Sequence, residues 1–382
     1  MRILFYFRTH FDDPSNIGVI NKCRAIVSGF NATGAASDTL FFSQKGLEKA
    51  GKELPVRSWP NRKRSSSHIA LYYFLADQWL VQNIDFQAYS HFYIRHFPTH
   101  TAFLNLVKTA KTQNPQLKIL LELPTWPYDK ESHGWVDKMI ALPDRFYRNF
   151  LYRYTDHVLH YGIETSVMGI PAIPVSNGID WQRIPVRDGI PSFEHTLRII
   201  AVGNWNTWHG LDRIMEGIKL YQRNKGGTTI HLNIVGGGPA IPALKKRTVE
   251  LQLEQVIQFH PPGTGDVLSQ LFNHADVAVG VLGLHRKGLS IASPLKHREY
   301  CARGIPFIMA GKDSDFAADW PYALNLPEDD SPVDMANVLA FVQRFKKEDV
   351  GKMRQFAERH LGWEIKIKAI SNRYFKPVHP SI

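Results

Sequence analysis

Along the chain, short runs of β-branched and aromatic residues alternate with longer stretches whose apolar positions recur at helical spacing. In the first half the strand-like runs are Ile3 to Phe7, Asp38 to Phe42, His91 to Arg95, Leu117 to Leu121 and His157 to Tyr161. Each is followed by a segment long enough for a crossover helix, and this alternation predicts parallel sheets. Turn residues crowd between Pro171 and Asp180, and the rhythm restarts at Leu197 to Val202. It continues through Ile230 to Val235, Val256 to Phe259, Asp276 to Val281 and Ile305 to Met309. The expectation is an α/β protein of two Rossmann-like, doubly wound domains facing a cleft, residues 1–175 and 176–362, hinged near Pro174 to Asn177. Met1 to Arg8 reads as a first strand, because its apolar part is too short for a secretory leader. No apolar run approaches the roughly 20 residues that span a bilayer.

The length of 382 residues agrees with two cores of ordinary size, and an apolar share of 44% with 21% charged residues describes a folded chain. Two cysteines, Cys23 and Cys301, lie too far apart in sequence to suggest a zinc motif or a disulfide framework. A reducing cytoplasm fits that usage. The formal charge of +11 favours an anionic partner: nucleic acid, anionic lipid or a diphosphate substrate. The charge is dispersed and no nucleic-acid module is present, so no nucleic-acid partner is expected.

In doubly wound sheets ligands sit beyond the carboxyl ends of the strands. Val235-Gly236-Gly237-Gly238-Pro239 ends a strand and opens a helix, where backbone N–H groups and the helix N-terminus favour a phosphate. Gly203-Asn204-Trp205-Asn206-Thr207-Trp208-His209-Gly210 leaves the preceding strand of the same domain. A third turn, Ser293-Pro294-Leu295, opens a helix that carries Lys296 and Glu299 three residues apart on one face. There the lysine can meet a phosphate and the carboxylate can accept ribose hydroxyls. The competing reading of Lys296 is a solvent-facing lysine on an amphipathic helix, and the ordinary reading of Arg286 and Lys287 is a solvated loop. Asp313-Ser314-Asp315 is the only Asp-x-Asp, and such carboxylates normally remain solvated; no metal site is expected.

The order of these motifs from Val202 to Ile308, closing on Glu299-Tyr300-Cys301-Ala302-Arg303-Gly304-Ile305-Pro306, resembles the donor-binding domain of GT-B glycosyltransferases. The resemblance is to retaining family 4, of the bacterial capsule and exopolysaccharide type. In the first half, Asn16-Ile17-Gly18 and Leu121-Glu122-Leu123-Pro124-Thr125-Trp126-Pro127-Tyr128-Asp129 look similar as well. The resemblance implies metal-independent transfer, with retention, from a nucleotide sugar to a glycan or lipid-linked glycan, with no cofactor beyond the donor. Glu299 would hold the ribose, Gly236 to Gly238 would line the base and phosphate pocket, and Gly18 would approach the donor. Ser293, Pro294 and Leu295 would offer backbone amides to the diphosphate. The chain departs from the pattern at three positions. Ile291 stands where the first glutamate of the family's pair falls, and Asn204 and His209 stand where an Arg and a Lys clamp the diphosphate, which leaves Lys296, Arg286 and Lys287 as substitutes. The resemblance also implies that residues 363–382 return to the first domain.

His96 and Asp129 follow strand ends of the first domain and are candidates for sugar contacts or proton handling. The alternatives are a hydrogen-bonded structural histidine and a turn-shaping aspartate. The basic run Arg57 to Arg64 precedes the apolar stretch Ile69 to Leu75, a combination an anionic membrane surface attracts, though a buried crossover helix needs the same apolar residues. The expected location is therefore cytoplasmic, with a peripheral place on the membrane's inner face open. Two other functions fit the same fold, a catalytically inactive partner subunit and a sugar-nucleotide epimerase.

Overall fold

The computed structural model describes residues 1–13, 17–49, 52–57, 66–96, 98–129, 135–190, 195–263 and 265–374. The chain divides into two compact units, residues 1–176 with 366–382, and residues 177–365.

The first unit is built on a nine-stranded sheet. Its strands are β1 (Arg2–His10), β2 (Ala36–Ser43), β3 (Gly46–Lys49), β4 (Lys52–Arg57), β5 (His91–Arg95), β6 (Lys118–Leu123), β7 (His157–His160), β8 (Ser166–Val167) and β9 (Ile170–Pro174), in the spatial order β4-β3-β2-β1-β5-β6-β7-β9-β8. Its helices are α1 (Ile17–Ala32), α2 (Ser66–Asn83), α3 (Thr101–Gln113) and α4 (Trp135–Tyr147). Strand β1 is central and buried on both faces, which is why it reads as one apolar run. Leu4 and Tyr6 pack into one core layer, while on the other side Phe5 stacks on Phe7 and meets Phe30 and Tyr93 at tilted angles.

Two expectations change here. Strand β2 is followed by the antiparallel hairpin β3–β4 in place of a crossover helix. The turn-rich stretch from Pro171 begins as strand β9, paired in parallel with β7; its prolines are tolerated because β9 lies near the sheet's edge. Helix α2 buries Tyr72, Tyr73, Ala76 and Leu80 in the core and leaves Leu71 and Leu75 exposed. Asn16, Arg62, Lys63 and Arg64 lie outside the described residues. Among those described, no helix is long and apolar enough to cross a membrane.

The second unit repeats the plan. Strands β10 (Thr196–Val202), β11 (Thr229–Val235), β12 (Ile257–His260), β13 (Val277–Val279), β15 (Phe307–Ala310) and β17 (Ala323–Leu326) form a parallel sheet in the order β12-β11-β10-β13-β15-β17. A two-residue pair, β14 (Ile291–Ala292) and β16 (Lys312–Asp313), stands apart from it. Helices α5 (Leu211–Arg223), α6 (Ile241–Glu250), α7 (Gly265–Asn273), α8 (Leu295–Arg303), α9 (Met335–Val342) and α10 (Lys347–Phe356) complete the unit. Leu197, Ile199 and Ala201 of β10 enter one core layer and Ile200 the other, the period-two signature of a sheet covered on both faces. Helix α5 buries Leu211, Ile214, Met215 and Ile218 at the i, i+3, i+4, i+7 spacing of a single apolar stripe. The last helix, α11 (Trp363–Tyr374), brings Ile367 against Gly29 of α1, so closely that a Cβ on Gly29 would lie 2.8 Å from the isoleucine.

Candidate functional site

Parallel register aligns Val202 of β10 with Val235 of β11, so the turns that follow leave the same sheet edge side by side. They are bonded together. The Trp205 amide donates to Gly237 O at 2.7 Å, the Ala240 amide to Trp205 O at 3.0 Å, and the Trp205 indole N–H to Val235 O at 3.1 Å. A Cβ at Gly236 would lie 2.0 Å from Gly203 O, and one at Gly238 would lie 2.4 Å from Trp205 backbone atoms; both glycines also have φ near +120°. Packing of turn on turn therefore requires these two glycines. Gly237 alone of the three has room, its nearest neighbour being Pro262 at 3.9 Å.

The third turn reaches the first through Lys296. Its Nζ lies 3.0 Å from where a Cβ of Gly203 would stand and 4.2 Å from the centre of the Trp205 ring. The side chain as a whole is partly exposed, but the ammonium nitrogen is shut off from solvent and has no hydrogen-bond partner among the described residues. Burial pushes its pKa down to about 7, against the opposing charge of Glu299 on the same helix. The solvent-facing alternative is thereby corrected, because an amphipathic helix would leave that nitrogen in water. Glu299 is a quarter exposed, and its Oε1 accepts from Arg303 Nε at 2.9 Å and pairs with Nη2 at 2.9 Å.

The turn carrying Lys296 is anchored from below. Ser293 Oγ accepts from the Asn177 amide at 2.7 Å, and Asn177 Nδ2 donates to Ser293 O. Arg298 donates to Asn177 O at 3.2 Å, to Pro294 O at 3.1 Å and to both oxygens of Asp313 at 2.6 and 2.7 Å, and pairs with Asp315. His297 Nδ1 donates to Asp313 at 2.8 Å while its Nε2 accepts from the Val281 amide at 3.2 Å. Asp313 and Asp315 are thus the inner charges of a buried network, which corrects the expectation of solvated carboxylates. Pro294 has no N–H to give a phosphate, so the amides of the first turn of α8 are those of Leu295 and Lys296.

Other candidates are already engaged. Arg286 grips Asp212 at 2.9 and 2.7 Å, Asp330 at 2.7 Å and Thr207 O at 2.7 Å, and Lys287 sits 4.8 Å over the Trp208 ring, so neither belongs to a solvated loop. His209 lies edge-on to Trp205 with Nδ1 accepting from the Asn206 amide at 3.0 Å; burial, then the charge of Lys296, holds its pKa well below the usual value. Asn204 is exposed, with its Oδ1 2.6 Å from where a Cβ of Gly238 would stand, and Ile291 belongs to β14.

In the first unit Gly18 is exposed in the first turn of α1. His96 is buried, its Nδ1 without a partner and its Nε2 3.4 Å from the Tyr128 hydroxyl, which bonds Asp144 at 2.8 Å. Burial, Arg8, Arg148 and His100 hold the imidazole neutral by pushing its pKa well below the usual value, which suits a hydrogen bond better than a proton shuttle. Asp129 accepts from Arg145 at 3.1 Å and from Arg148 at 3.3 Å, and although partial burial opposes ionisation these cations keep it charged. Glu122 is a site residue that the sequence reading missed. This fully buried carboxylate takes Lys22 and Arg95 at 2.7 Å each, with the hydroxyls of Tyr161 at 3.0 Å and Tyr93 at 3.1 Å. A charged residue inside an apolar strand, Leu121-Glu122-Leu123, is the signal that could have found it. Among the described residues no group of three or more His, Cys, Asp or Glu side chains is placed to hold a metal ion.

No family model matches the chain, and no curated protein matches its sequence. Solved structures match over nearly the full length. Sucrose-phosphate synthase from Thermosynechococcus elongatus is 11% identical, with a TM-score of 0.66 over 98% of each chain. WaaG, a glycosyltransferase involved in lipopolysaccharide biosynthesis, is 13% identical, with a TM-score of 0.63 over 98% of this chain and 100% of its own. HepE from Anabaena, solved in complex with UDP-glucose, is 11% identical, with a TM-score of 0.60 over 97% of this chain and 98% of its own. The fold is that of the GT-B glycosyltransferases, two Rossmann-like domains in one chain.

Proposed function

We propose that the chain is a glycosyltransferase that moves a sugar from a nucleotide-sugar donor to a glycan or lipid-linked glycan, with retention and without a metal ion or cofactor. The observation that carries this reading is the ammonium of Lys296, buried without a hydrogen-bond partner where three turns meet at the carboxyl edge of a doubly wound sheet. A buried cation without an anion is costly, and a pyrophosphate oxygen would supply the missing partner. The complex of HepE with UDP-glucose on the same fold supports a donor of this class.

In this reading Lys296 and the Leu295 and Lys296 amides stabilise the charge that grows on the departing diphosphate. Glu299, whose Oε1 pairs with Arg303, holds the ribose, and Gly237 gives the base room to approach. In the same proposal Gly18 approaches the donor, and His96 and Asp129 are the acceptor-side residues, His96 as a neutral hydrogen-bonding group. The family-4 and capsule-type assignment, and a place on an anionic membrane surface in the cytoplasm, are parts of the same proposal.

A panel of UDP-, GDP- and ADP-sugars scored by thermal shift tests the donor reading, since a bound donor raises the unfolding temperature according to its affinity. At least one should stabilise the chain; a panel without effect contradicts the proposal. A second reading, an inactive partner subunit, is favoured by one specific fact: Ile291, Asn204 and His209 leave Lys296 as the one cation of the three turns without a partner among the described residues. Donor binding with neither hydrolysis nor transfer would select it.

A further inference from the structure

We infer that the donor pocket takes up one proton as the nucleotide sugar enters, and that Lys296 receives it. The inference rests on the donor reading above and adds the charge state of the pocket. The geometry sets it up from three sides. Trp205 presents its ring face to Nζ at 4.2 Å, Gly203 leaves the space into which the chain end reaches, and no oxygen accepts from the nitrogen. The carboxylate on the same helix face, Glu299, is held by Arg303.

The other titratable and charged groups of these turns cannot substitute for it. His209, on the β10–α5 turn, is a neutral ring accepting at Nδ1 from the Asn206 amide. His297, on α8, is tied at both nitrogens, to Asp313 and to the Val281 amide. Lys287 lies over Trp208, and Arg286 is locked to Asp212 and Asp330. In the empty pocket, desolvation favours the neutral amine above a pH of about 7. Beside a pyrophosphate the ammonium is favoured, so the amine must gain a proton to bind. The sign follows: affinity is greatest below pH 7 and falls as the pH rises, by about fiftyfold between pH 7 and pH 9 if the bound amine stays protonated throughout.

The test is calorimetry of the whole chain with whichever of UDP-glucose, GDP-mannose or ADP-glucose binds most tightly, in two buffers of different ionisation heat. The pyrophosphate diester of these probes has no titrating oxygen near neutrality, so the buffer-dependent heat counts protons taken up by the protein. About one proton should be absorbed at pH 8.5 and close to none at pH 5.5. Lys296→Arg should bind without uptake, because a guanidinium stays charged throughout. Lys296→Met should lose the uptake at an unchanged or higher unfolding temperature, and His209→Gln should keep it. Binding at pH 8.5 without proton uptake, or uptake that survives in Lys296→Met, overturns the inference while leaving the donor reading standing. If none of the three probes binds, the donor reading fails and the inference falls with it.

Discussion

Lys296 and Glu122 show two opposite fates of a buried charge. Glu122 is surrounded by two cations and two phenol hydroxyls, which hold its pKa at about 2 in spite of complete burial. Glu122→Gln would leave Lys22 and Arg95 facing each other without their anion, and should cost about 3–5 kcal/mol of stability in urea unfolding. Lys296 has no such company. Lys296→Met should therefore leave the urea midpoint unchanged or raise it, while donor-dependent turnover falls by about a hundredfold or more, the size of effect seen when one preorganised charge-stabilising group is removed. A midpoint that drops with the activity would instead mark the lysine as structural. If His96 serves the acceptor as the proposal has it, His96→Asn should keep the fold and lower transfer more than donor binding; equal losses in both would remove it from the acceptor side.

The turns at the edge of the second sheet follow the same physics at the level of elements. Gly236→Ala would place a Cβ 2.0 Å from Gly203 O at a positive φ, and should lower stability by about 2–4 kcal/mol, whereas Gly237→Ala, with open space, should be nearly neutral in thermal unfolding. This contrast was invisible in Gly236-Gly237-Gly238 as a string, where the three residues look alike. Strands β10 and β11 were legible because a sheet covered on both faces needs continuous apolar runs. The hairpin β3–β4 and strand β9 were not, since polar residues and prolines on the outer strands of a sheet carry no such run. Asp313 and Asp315 were misread for a related reason: their burial arises from pairing with Arg298 of α8, which sequence spacing alone does not bring to them.

At the scale of the molecule, two doubly wound units in one chain give the fold, and the second concentrates the features a nucleotide sugar would need. The sequence reading favours Lys296 over Arg286 and Lys287 as the substitute for the cations that Asn204 and His209 displace, because Lys296 opens the helix of the matching motif; the structure adds where these side chains point. Arg286 is drawn away into ion pairs with Asp212 and Asp330, and Lys296 is left facing Gly203 and Trp205. The most direct measurement is a crystal structure of the chain with the donor that stabilises it most. A pyrophosphate oxygen within about 3 Å of Lys296 Nζ, in contact with the first turn of α8, is the predicted result. A donor bound away from that nitrogen, with the ammonium still alone against Trp205, would contradict the account.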